Sequence, residues 1–67
     1  MIEELVRDLD QSHVGKQIRV QIRKGWIKEG TLAGVEHKNG LCTLAIRDGE
    51  TVIKATLSAG NKVQIRG

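Results

Sequence analysis

Gly15-Lys16-Gln17-Ile18-Arg19-Val20-Gln21-Ile22-Arg23-Lys24-Gly25, running on as WIKEGTLAGV to Val35, is the stretch whose reading decides the fold. Ile18, Val20 and Ile22 alternate with Gln17, Arg19, Gln21 and Arg23, so one face is apolar and the other basic. Strict period-two alternation marks a half-buried strand, because successive side chains leave the pleat on opposite sides. Gly25 punctuates the run, and a second strand follows with Gly30 and Gly34 four residues apart. Glycines inside a strand mark bends, bulges or close backbone approach. The pair reads as a long, bent two-strand unit opening a small barrel.

Working outward, strands are expected over 16–24, 26–36, 41–47, 51–57 and 62–66. Asn39-Gly40 supplies the two positive φ values of a tight hairpin, and Asp48-Gly49 is expected to turn the chain by the same chemistry. Residues 58–61, Ser-Ala-Gly-Asn, lead into the last strand. Ahead of the strands, Ile2, Leu5, Val6 and Leu9 follow the i, i+3, i+4, i+7 spacing of an amphipathic helix, with Glu3 and Glu4 at its start. The expected fold class is therefore mostly β: an N-terminal α-helix, then a five-stranded, strongly bent antiparallel small barrel, with the helix over one open end. Residues 1–67 make one domain.

The chain has no Pro, Tyr or Phe, one Trp and one Cys, so its core must come from aliphatic side chains. A domain of this size buries only about 60% of its unfolded surface. A single cysteine excludes an internal disulfide, and the two histidines with Cys42 lack zinc spacing. Of the usual supports for a small fold, oligomerisation remains. Cys42, inside the aliphatic run 41–46, reads as a small buried hydrophobe suited to a reducing cytoplasm. No apolar stretch approaches the roughly 18 residues of a membrane span, and the acidic start is unlike a secretory signal. A soluble, cytoplasmic protein with no membrane partner is expected.

Charge is unevenly spread over the net +3. Residues 1–12 are acidic, whereas Lys16, Arg19, Arg23, Lys24 and Lys28 occupy 13–28 without a carboxylate. That stretch is either a solvated strand face or a surface for an anion, of which nucleic acid is the foremost candidate. Trp26, the one aromatic, is open to a core or subunit-contact role or to base stacking. No convergent nucleophile, base and oxyanion set emerges, and no phosphate-cradling glycine loop precedes a helix. No enzyme, cofactor, metal or small-molecule substrate is expected.

The run Gly15-Lys16-x-x-Arg19-Val20-x-Ile22-x-x-Gly25, followed by Gly30-Thr31-Leu32-x-Gly34-Val35-Glu36, resembles the first motif of Sm-like proteins, the family of archaeal Sm proteins and the bacterial host-factor RNA chaperone. The resemblance spans nearly the whole chain. It implies a homo-oligomeric ring of six or seven subunits, in which the fourth strand of one copy pairs with the fifth of the next. It further implies single-stranded RNA, U- or A-rich, held at the pore by polar loops. His37, Lys38 and Asn39 form one such loop, readable also as an ordinary hairpin turn; Asn61, Lys62 and Lys24 would line the same site. The chain departs from the family in Glu36 for Asp, in Asn39 coming one residue early, and in Ala59 where the family's second motif has arginine. The G-T-L-x-G-V run is similar also to the C-terminal barrel of a bacterial ribosome-maturation factor, so a scaffolding or docking barrel that binds no RNA is the alternative.

Overall fold

A computed structural model describes residues 2–66. Six strands form: β1 (Ile2–Leu5), β2 (Gln17–Arg23), β3 (Trp26–Lys38), β4 (Leu41–Asp48), β5 (Thr51–Ser58) and β6 (Lys62–Arg66). They make one antiparallel sheet in the order β1-β6-β2-β3-β4-β5. Two single 3-10 turns, Val6–Asp8 and Gln11–His13, lie between β1 and β2.

The alternation read from the sequence governs the pairing. Ile18 and Val20 of β2 face Ile65 and Val63 of β6, and all four are buried. Cys42, Leu44 and Ile46 of β4 point the same way, opposite Leu57, Ala55 and Ile53 of β5. With Leu32, Val6 and Leu9 they form a core without an aromatic side chain.

β3 serves two neighbours. Residues up to Thr31 pair with β2, and those from Thr31 onward pair with β4, with a register shift between Leu32 and Gly34. Gly30 sits at this bend. A Cβ there would lie 2.5 Å from the Arg47 carbonyl oxygen and 2.7 Å from Ile46 Cγ2, so the crossing is close enough to require glycine. The bend curls the sheet, and backbone hydrogen bonds prolong the β4–β5 and β1–β6 ladders into the adjoining turns. The Ala59 N–H donates to the Gly40 carbonyl at 3.1 Å, and the Val6 N–H donates to the Asn61 carbonyl at 2.7 Å.

The turns differ in detail from one another. Asn39 and Gly40 both have positive φ, 52° and 76°, as the Asn-Gly hairpin was expected to. At the next hairpin only Gly49 does, at 67°, so the two-residue loop is Gly49-Glu50 and Asp48 closes the β4 ladder opposite Thr51.

The expected N-terminal α-helix is absent, and with it the five-strand count. Residues 2–5 form a sixth strand on β6, pairing Ile2 with Ile65 through Leu5 with Lys62. A helix of about two and a half turns is marginal in water. As a strand, the segment instead satisfies the otherwise open backbone groups of β6. The pattern misled because the spacing from Val6 to Leu9 also fits a single 3-10 turn, closed by Leu9 N–H to Val6 O at 3.1 Å. Val6 and Leu9 are buried, but Ile2 is 57% exposed, so the helical stripe does not act as one face. β6 now has a strand on each side, and the sheet's free margins are β1 and β5.

Candidate nucleic-acid interface

Lys24 and Gly25 form the two-residue loop between β2 and β3, and Asn61 immediately precedes β6, which Lys62 opens beside the end of β2. The fold thereby gathers three of the expected site residues. Lys24, Asn61 and Lys62 line one hollow of about 450 Å³ together with Gln21 and Arg23. Its floor is rigidly set. Besides accepting from Val6, Asn61 donates its N–H to the Ser58 carbonyl at 3.0 Å and accepts the Ser58 hydroxyl on Oδ1 at 3.0 Å. Among the described residues its Nδ2 has no partner and is available as a donor. The Arg23 guanidinium lies over the Trp26 ring, 5.4 Å from its centroid, and Trp26 is 47% exposed. Trp26 is thus neither a core residue nor enclosed within this chain.

His37, Lys38 and Asn39 form the β3–β4 hairpin, linked to the β5–β6 turn through the Gly40–Ala59 hydrogen bond. His37 is committed elsewhere. Its Nε2–H donates to the Leu9 carbonyl at 2.7 Å, which leaves Nδ1 to accept the Cys42 thiol at 2.8 Å. Both ring nitrogens are therefore occupied, and the imidazole ties the 3-10 region to the hairpin. Asn39 stands in the left-handed region, where asparagine is among the few non-glycine residues tolerated. Lys38 pairs with Leu41 at the hairpin neck and is exposed.

Folding also changes the electrostatics read from the linear sequence. Arg19 meets Glu29 at 3.3 Å and Lys28 meets Asp48 at 2.9 Å, so neighbouring strands bring carboxylates to two of the five cations in 13–28. Lys16, Arg23 and Lys24 have no carboxylate partner among the described residues. Lys62 has Glu3 at 3.6 Å, an exposed pair of small energetic weight.

A second polar cluster went unread in the sequence. The His13 Nε2 lies 3.1 Å from Glu4 Oε2, and its Nδ1 accepts the Asp10 N–H at 3.1 Å. The Ser12 hydroxyl and backbone N–H both donate to Asp10 Oδ1, holding that carboxyl below its ordinary value of 3.8; the contact with His13 adds to the effect. This cluster caps the second 3-10 turn and ties β1 to it. The signal available was Asp10 three residues before His13, a capping spacing. Burial pushes the Cys42 thiol above its ordinary 9.0. No group of three or more His, Cys, Asp or Glu side chains able to hold a metal occurs among the described residues, and none of their helices is long and apolar enough to cross a membrane.

Comparison with family models, with curated proteins and with solved structures finds no match to this chain.

Proposed function

We propose that this protein is a non-enzymatic, homo-oligomeric binder of single-stranded RNA, U- or A-rich, acting in the cytoplasm. The observation that carries the reading is the convergence of Lys24, Asn61 and Lys62 in one hollow, with Arg23 of the same hollow stacked over the half-exposed Trp26. Lysines neutralise phosphates, a free amide nitrogen reads a base acceptor, and an aromatic face with a stacked arginine offers a base platform. The resemblance of residues 15–36 to the Sm-like motif supports the same ligand class. His37 enters this reading as a tether of the hairpin, and the contact rests on Lys24, Asn61 and Lys62 of this hollow, the rim hollow, with Lys38 and Asn39 on the hairpin joined to the 59–61 turn through Gly40 and Ala59.

Self-association belongs to the same reading, by a modified route. Pairing of β5 with the β6 edge of a neighbour requires β1 to leave, because β1 occupies that edge. The margins open to a second copy are β1 itself and the eight-residue β5, on which Lys54 is the one charged side chain. The two margins are complementary, since β1 carries Glu3 and Glu4.

Fluorescence anisotropy with labelled oligo-U and oligo-A at low salt tests the proposal. Binding should weaken in Lys24→Gln/Asn61→Ala, and absence of binding by the unaltered chain would remove it. The alternative, a scaffolding or docking barrel without RNA, draws on the neutralised Arg19 and Lys28 and on Ala59 in place of the family arginine. It predicts an oligomer or a protein complex of unchanged mass when oligonucleotide is added.

A further inference from the structure

The rim hollow does not end at the rim. It shares Gln21 and Lys62 with a second hollow of about 460 Å³ on the outer face of β6 and β2. That one shares Arg19 and Gln64 with a third, of about 60 Å³, reaching Gln17 and Arg66. The three form one continuous track along the length of β2. We propose that this track is a second segment of the binding site, along which a single-stranded polynucleotide runs from the rim over the sheet face.

The proposal rests on the RNA reading of the rim and extends it. Charge favours the occupant: Arg19, Arg23, Lys24, Lys62 and Arg66 border the track, against Glu29 and Glu3, leaving an excess of three positive charges. Outward side chains on a strand recur about every 6.8 Å, two residues at roughly 3.4 Å each, an interval that a stretched nucleotide backbone can follow. Between the cations stand the amides of Gln17, Gln21 and Gln64. Each amide both donates and accepts, so it can meet any base edge or a 2′-hydroxyl without demanding one sequence. Gln17 already donates from Nε2 to Thr31 Oγ1 at 2.8 Å, which leaves its oxygen as the acceptor at the far end. The cross-strand register sets Gln17 beside Arg66 and Arg19 beside Gln64, so a phosphate contact and an amide lie side by side at each step. Glu29, paired with Arg19 at 3.3 Å, restrains binding at the middle of the path.

Length dependence tests this. Oligo-U of roughly 4 and roughly 12 nucleotides, both within the site sizes of small nucleic-acid barrels, is titrated against salt by anisotropy. Arg66→Gln/Gln17→Ala, at exposed positions and checked for fold by circular dichroism, should leave the short oligomer unaffected. With the long one, the slope of log affinity against log salt should become shallower by about 0.7. Glu29→Gln, which frees Arg19, should tighten the long oligomer. Unchanged slope and affinity for the long oligomer in the double variant would overturn the track, as would equal affinity of the unaltered protein for both lengths or for a duplex. The rim reading fails separately, if Lys24→Gln/Asn61→Ala leaves the short oligomer bound.

Discussion

A methyl group added to Gly30 would come within 2.5 Å of the Arg47 carbonyl oxygen and 2.7 Å of Ile46 Cγ2. The nearest atom is backbone, and it belongs to a strand fixed by the Thr31–Arg47 and Leu32–Ile46 pairings on the adjoining residues. The methyl cannot be accommodated by turning a flexible side chain, so β3 and β4 must part or the bend must open. Overpacking of this kind costs about 2–3 kcal/mol. A 67-residue chain has about 3–10 kcal/mol of total stability at roughly 0.05–0.15 kcal/mol per residue. The loss is then a large fraction, and Tm should fall by about 10–20 °C. Gly34→Ala is the internal control, because its added Cβ would meet only Ala45 Cβ at an ordinary 3.7 Å. That variant should be neutral or slightly stabilising, as glycine in a strand interior costs about 0.5–1 kcal/mol relative to alanine. Thermal and urea unfolding followed by far-ultraviolet circular dichroism compares the two. A Gly30→Ala midpoint equal to that of the unaltered protein, or above that of Gly34→Ala, would refute the account of the bend.

His37→Ala removes the tether to Leu9 and the acceptor of the Cys42 thiol; unfolding should cost about 1–3 kcal/mol less in urea titration, while affinity for short oligo-U at temperatures where the variant is folded stays unchanged. Leu9→Ala empties a fully buried site and should destabilise by about 2–5 kcal/mol in the same titration. The Cys42 thiol should resist iodoacetamide in the native protein and react once urea unfolds it. Because the fold holds that thiol neutral, the associated stability is present below its ordinary value and is lost as pH rises through the raised one. The urea midpoint should therefore drop more steeply above pH 9.0 in the unaltered protein than in Cys42→Ala. For Asp10 the sign is opposite: its contribution is present above 3.8 and is lost as pH falls through the lowered value, so Asp10→Asn should flatten acid unfolding below that point.

Where apolar and polar residues alternate, the strands could be read from the residues alone. Expected strands at 16–24, 26–36, 41–47, 51–57 and 62–66 lie within two residues of β2 to β6, because each buries one face and its neighbours supply the matching one. β1 has no such pattern. In Ile-Glu-Glu-Leu the register sets Ile2 with Glu4 on one face and Glu3 with Leu5 on the other, so neither face is apolar and nothing in the order of residues marks a strand. Its conformation is decided by the β6 edge sixty residues away. The candidate site divides along similar lines. Lys24, Asn61 and Lys62 meet because the turn that follows β2 and the turn that leads into β6 lie at the same end of the antiparallel pair. The hydrogen bonds of His37 to Leu9 and Cys42 were not legible in the residues, since they depend on where the 3-10 segment packs. The cationic stretch lost part of its strength for a plain reason: Glu29, just past its end, and Asp48, on β4, are brought beside Arg19 and Lys28 by strand pairing.

With one indole in the whole chain, and that indole under the guanidinium of Arg23, which lines the rim hollow, the protein carries its own optical probe of occupancy. Intrinsic emission excited at the red edge reports on Trp26 alone, uncontaminated by phenols. Quenching by iodide against acrylamide would map how that corner is screened as ligand arrives, without any label attached.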